Sequence, residues 1–101
     1  GGLNIYPKEI EEAIDALPGV EESAVIGVPH PDMGEGVVAV VARAKGAELS
    51  EAAIMAALAD QLARFKQPRR VIVVDALPRN AMGKVQKAAL RAEHGGLFAA
   101  N

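Results

Sequence analysis

Residues 37–42, Val37-Val38-Ala39-Val40-Val41-Ala42, are apolar without a break. A half-exposed strand would alternate apolar and polar side chains, and an amphipathic helix would interrupt the run every third or fourth residue. Four valines in six positions therefore read as a strand buried on both faces. Such a strand must have cover above and below it, so the rest of the chain has to wrap it in two further layers. With 101 residues there is room for one domain only. Its only aromatics are one Tyr and two Phe, so the core rests on Ala, Val, Ile and Leu.

The segments on either side supply that cover. Pro7 suits the first position of a helix, where a missing N–H costs nothing. Ile10, Ala13, Ile14 and Leu17 then form one apolar helical stripe, Glu9, Glu11 and Glu12 favour the helix start, and Pro18-Gly19 ends it. Val20–Val28 reads as a strand with Ala24, Ile26 and Val28 on one face. Pro29–Gly36 reads as a loop dense in turn residues. Ser50 is a suitable N-cap for a second helix, with Ile54, Leu58 and Leu62 on its inner side and its end near Ala63. Arg69–Val74 is a third strand. Leu77–Lys84 is a short connection turning at Gly83, and Gln86–Glu93 is a last helix stopped by Gly95-Gly96. The fold class is therefore α+β. A central three-stranded, mostly antiparallel sheet carries about three helices, and a short turn or hairpin bears Lys84. Residues 1–96 form the domain and 97–101 a loose tail.

Several function classes drop out. There is no Cys, hence no disulfide frame, no thiolate metal site and no thiol nucleophile. Two His do not make a zinc site. No apolar run approaches the ~20 residues of a membrane span, and a cytoplasmic setting is expected. Gly1 is not Met, and the chain reads as a piece of a longer one. The net charge of −2 conceals a division. Residues 1–63 carry eleven acids and three bases, whereas residues 64–101 carry two acids and eight bases. A basic end of this kind suits a phosphorylated ligand or an acidic partner.

Three clusters bear on chemistry. Lys84 follows Gly83 in a turn with Arg79 and Asn80, a flexible point charge able to reach a neighbouring site. The pair is not a phosphate-binding P-loop, which needs Gly at position 78 and Ser or Thr at 85; Pro78 and Val85 stand there. His30, Asp32 and Glu35 share one loop, but their spacing matches no metal rule, and Asp32 reads as a turn former. Arg64, Lys66, Arg69 and Arg70 surround Pro68. With Phe65 the only aromatic nearby, no stacking platform for nucleic acid is apparent.

Two segments carry a resemblance. Gly1-Gly2-Leu3-Asn4-Ile5-Tyr6-Pro7-Lys8-Glu9-Ile10-Glu11 resembles the segment after the hinge of adenylate-forming enzymes, and Leu77-Pro78-Arg79-Asn80-Ala81-Met82-Gly83-Lys84 resembles their C-terminal lysine motif. Ala24–Pro29 with Asp32, Gly34 and Glu35, and Phe65-Lys66-Gln67-Pro68, also look familial. That superfamily includes acyl-CoA synthetases, peptide-synthetase adenylation domains and luciferases. Within it the chain looks most like the malonyl-CoA synthetase branch. Asn80 stands where Thr is frequent and Met82 where Ser is frequent.

The resemblance implies the C-terminal mobile domain of an acyl-CoA synthetase, inactive alone, whose ATP, Mg2+ and carboxylate are held mainly by an absent N-terminal domain. It implies that Lys84 is the adenylation lysine, with Gly83, Arg79 and Asn80 supporting its loop. Gly1, Gly2 and Leu3 would flank the pantetheine channel of CoA after a rotation about the hinge. It further implies reversible acetylation of Lys84, with a lysine acetyltransferase and a deacetylase as partners beside the N-terminal domain, CoA and the acyl-adenylate. Neither nucleic acid nor membrane is expected. The rival readings are a free-standing interaction module that serves as an acetyltransferase substrate and, behind it, a small nucleic-acid-binding domain.

Overall fold

The computed structural model describes residues 6–99. The chain runs α1 (Pro7–Asp15), β1 (Val20–His30), β2 (Gly34–Arg43), α2 (Glu51–Ala59), a single 3-10 turn (Arg64–Lys66), β3 (Arg70–Val74) and α3 (Lys87–His94). The doubly apolar run occupies β2, the middle strand of the order β1-β2-β3. Its alternation sorts the core into two clusters. Ala39 and Val41 join Val25 and Val71 beneath Ile10 and Ile14 of α1 and Ile54, Leu58 and Leu62 from α2 and its exit. Val38, Val40 and Ala42 join Ala24, Ile26 and Val28 beneath Leu77 and Leu90. Leu97 and Phe98 also pack against this second cluster, half-buried. The expected α+β sandwich is thus present, with α1 and α2 on one face and α3 on the other.

The sheet is mixed. The longer pairing, β1 with β2, is antiparallel, while β2 and β3 run parallel. Parallel neighbours need a crossover, and α2 provides it. The expected loop over 29–36 contracts to a tight turn, because Pro29 pairs with Glu35 and His30 with Gly34. Proline is admissible there because β1 is an edge strand and need not donate outward. Gly34, at φ +77°, supplies the left-handed residue of the turn. The second helix stops at Ala59, short of Ala63. Gln67 closes its end by donating from Nε2 to the carbonyls of Leu58 at 2.7 Å and Leu62 at 2.8 Å. Ser50 caps the start as expected, accepting from the Ala53 N–H at 3.1 Å.

Both edges of the sheet meet a carboxylate from a helix. At β1, Glu11 of α1 accepts the Val25 N–H at 2.7 Å and pairs with Lys87 of α3 at 2.8 Å. At β3, Glu51 of α2 accepts the Val71 N–H at 2.9 Å and the Arg70 Nε–H at 2.7 Å. The Val71 N–H first, and Arg70 second, hold the Glu51 carboxyl below its ordinary value. One irregularity interrupts β1, a register shift between Val20 and Glu22.

Candidate functional site

The connection from β3 to α3 folds back on itself. Arg79 and Val85 form an antiparallel bridge, and the Asn80 N–H donates to the Lys84 carbonyl at 3.0 Å. Between them the chain reverses in a few residues. The Gly83 N–H donates to the Asn80 carbonyl at 2.9 Å, and Gly83 itself sits at φ +84°. That left-handed geometry is what the Gly83-Lys84 pair requires, since a side chain there would be strained. The expected turn or hairpin bearing Lys84 is present.

Side chains fix the turn from two directions. Asn80 Oδ1 accepts the Met82 N–H at 3.0 Å and the Lys84 N–H at 2.9 Å. Its amide oxygen therefore does the work of a turn-closing backbone group, so Asn at this position satisfies two of the loop's N–H groups. Arg79 donates from one guanidinium nitrogen to the Gly83 carbonyl at 2.8 Å and from the other to the carboxylate of Glu22. The Gly83–Lys84 peptide is thus held at its carbonyl by Arg79 and at its N–H by Asn80. Met82 stands 92% exposed at the tip, and the Lys84 side chain is exposed beside it. Among the described residues no carboxylate pairs with the Lys84 ammonium. The result is a rigid backbone that carries a free cation. Beside it Lys84, Gln86, Lys87 and Arg91 line an open cleft of about 600 Å³.

The basic cluster near Pro68 is divided. Lys66 pairs with Glu9 at 2.9 Å and Arg70 with Glu51 at 2.7 Å. Arg64 and Arg69 remain with Phe65, Pro68, Met33 and Val37 around a second open cleft, of about 570 Å³. Phe65 is 72% exposed, and Tyr6 meets its ring edge to face. This surface belongs to the α1 and α2 side, whereas the Lys84 loop belongs to the α3 side.

The loop of His30, Asp32 and Glu35 does not converge. His30 Nδ1 accepts the Asp32 N–H at 3.1 Å and so closes the turn itself. The expected turn-forming side chain is thus His30 rather than Asp32. Its ring packs 5.0 Å from that of Phe98, and the Glu35 carboxylate lies over Gly27. Among the described residues no three His, Asp or Glu side chains lie together in a cluster that could hold a metal. None of their helices is long and apolar enough to cross a membrane. Gly1, Gly2 and Leu3 lie outside the described residues. The pairings of Glu22, Glu11 and Glu51 have no signal in the sequence, because each partner lies 14 or more residues away; Gln67 bonds carbonyls only five and nine residues back, as a helix-end cap that its spacing alone does not announce.

A family model described as the AMP-binding enzyme C-terminal domain matches residues 9–84. Among curated relatives, a long-chain-fatty-acid–CoA ligase FadD13 of Mycobacterium tuberculosis is 46% identical over 94 residues, 93% of this chain and 18% of that one. A feruloyl-CoA synthase of Amycolatopsis is 43% identical over 95 residues, 94% of this chain and 19% of that one. Among solved structures, ATP-bound MatB from Rhodopseudomonas palustris superposes with a TM-score of 0.91 at 61% identity, covering 97% of this chain and 20% of that one. The chain spans about a fifth of the length of each of these proteins.

Proposed function

The chain belongs to the family of AMP-binding enzyme C-terminal domains, and we propose that Lys84 is its adenylation lysine, working in an acyl-CoA synthetase whose remaining four-fifths bind ATP, Mg2+ and the carboxylate. One observation carries this reading, the exposed and unpaired ammonium on a turn locked by Arg79, Asn80 and Gly83. In the first half-reaction a carboxylate oxygen attacks the α-phosphorus of ATP and pyrophosphate departs. Negative charge spreads over the phosphoryl oxygens. A cation brought there by a preorganised loop stabilises that charge without reorganising at the moment of reaction.

In the second half-reaction a thiol attacks the acyl carbonyl and AMP leaves. Lys84 has no part in that step, and a rotation of the domain about a hinge before Gly1 removes it. Gly1, Gly2 and Leu3 then border the path of the CoA pantetheine arm. The α1 and α2 side offers the exposed Arg64 and Arg69 beside Phe65, charges suited to the CoA phosphates. That the two basic surfaces lie on opposite sides of one sheet supports their alternation. The likeness to MatB supports malonate as the carboxylate. The exposure of Lys84 supports its reversible acetylation, which removes the charge adenylation needs.

The test separates the half-reactions. In the enzyme that carries this domain, Lys84→Ala lowers pyrophosphate exchange with ATP and malonate by about 10²–10³-fold, the usual loss of one preorganised donor. Thioester formation from a supplied acyl-adenylate persists. Acetyl-Lys84 behaves alike. Equal loss of both half-reactions refutes the assignment, and exchange activity in the isolated 101-residue chain refutes the division of labour.

A further inference from the structure

Val20 and Glu22 are two residues apart and in a regular strand would share a face. They do not. Val20 packs with the cluster under α1 and α2. Glu22 is level with Ala42, on the face of Ala24 and Ile26. The extra residue is Glu21, at the register shift. A bulge of this kind changes the phase of a strand and re-aims a side chain. Here it keeps Val20 in one core while turning Glu22 toward the Lys84 loop.

What Glu22 reaches is Arg79. One nitrogen of the guanidinium meets the Glu22 carboxylate, and another donates to the Gly83 carbonyl at 2.8 Å. The Gly83 carbonyl belongs to the peptide that leads into Lys84. We propose that Glu22 is a positioning residue for Lys84, acting through the Arg79 fork to tie the catalytic turn to the sheet. This rests on the adenylation role assigned to Lys84. Arg79 is a long, half-exposed side chain with many rotamers. Pairing it at one end with a strand-borne carboxylate leaves its other end a single direction in which to donate. Glu22 lies in β1, which is paired to β2 from Val20 to His30, and the bulge makes that strand the reference from which the loop is held.

The test uses the enzyme carrying this domain together with its ATP-binding part, in the variants Glu22→Gln, Arg79→Ala, both together, and Lys84→Ala. Glu22→Gln is expected to lower kcat for adenylation by about twofold to fivefold, the scale set by losing one exposed charge-assisted contact that positions a catalytic group. KM for ATP and for the carboxylate, the thioester-forming half-reaction and the melting temperature stay unchanged. Added to Arg79→Ala, it causes no further loss, because the relay is already broken. If Lys84→Ala abolishes adenylation while Glu22→Gln leaves it at the wild-type rate, the inference alone falls. If Lys84→Ala leaves adenylation intact, the reading of Lys84 falls and the inference with it. An equal drop in both half-reactions, a lowered melting temperature, or additive losses in the double variant assign Glu22 a merely structural role and overturn the proposal.

Discussion

Replacing Asn80 by Ala isolates the contribution of loop rigidity to catalysis. The substitution removes the acceptor for two N–H groups, at 3.0 and 2.9 Å, and leaves the Arg79–Gly83 contact and the Arg79–Val85 bridge in place. A neutral hydrogen bond contributes about 0.5–1.5 kcal/mol net, and an exposed one belongs at the low end because water replaces it. Two such bonds give about 1–2 kcal/mol. That lowers the equilibrium constant for the lysine-presenting turn about fivefold to thirtyfold. Adenylation, measured as pyrophosphate exchange in the full enzyme, should fall, with that factor as its upper bound. Thioester formation from acyl-adenylate should not change. Urea unfolding of the chain should weaken by no more than about 1–2 kcal/mol, since the loop tip contributes no side chain to either core cluster. Asn80→Thr should lose less than Asn80→Ala, because a hydroxyl can still accept one of the two N–H groups. A full adenylation rate in Asn80→Ala, beside a dead Lys84→Ala, would refute the view that a pre-formed turn is what makes Lys84 effective.

Two further outcomes concern the scaffold. Glu51 has its folded-state pKa depressed by the Val71 N–H and Arg70. Its stabilisation is therefore complete above the ordinary carboxylate value of 4.5 and is lost as pH falls through the lower folded value. Urea titrations across that acid range should show a shallower loss of stability in Glu51→Gln than in the parent chain, and identical slopes would contradict the cap. Leu90→Ala opens the core under α3, where Leu90 is 2% exposed. It should cost about 2–5 kcal/mol by urea unfolding, and a change under 1 kcal/mol would mean that α3 is not packed as described.

Much of the fold was legible because it depends on periodicity. The unbroken Val37–Ala42 run demanded two-sided cover and has it. The stripe through Ile10 and Ile14 and the set Ala24, Ile26 and Val28 face the clusters their spacing assigns. What periodicity could not convey was pairing between distant polar groups. The turn at Pro31–Met33 is shorter than its prolines and glycines suggest, because an edge strand tolerates both residue types and pairing continues to His30 and Gly34. The parallel direction of β3 follows from the path of α2, which no local pattern encodes. In the site, Gly83-Lys84 stood out as a turn with a cation, and Arg79 and Asn80 lay within the same few residues. Glu22 did not, since a glutamate in a run of acids looks like solvated surface until a bulge shows which way it points.

A helix-borne carboxylate occupies an outward N–H at each margin of the sheet, Glu11 on Val25 and Glu51 on Val71. A strand from another molecule would have to displace a charge before it could add to the ladder. Addition of a foreign strand at these two positions is thereby disfavoured.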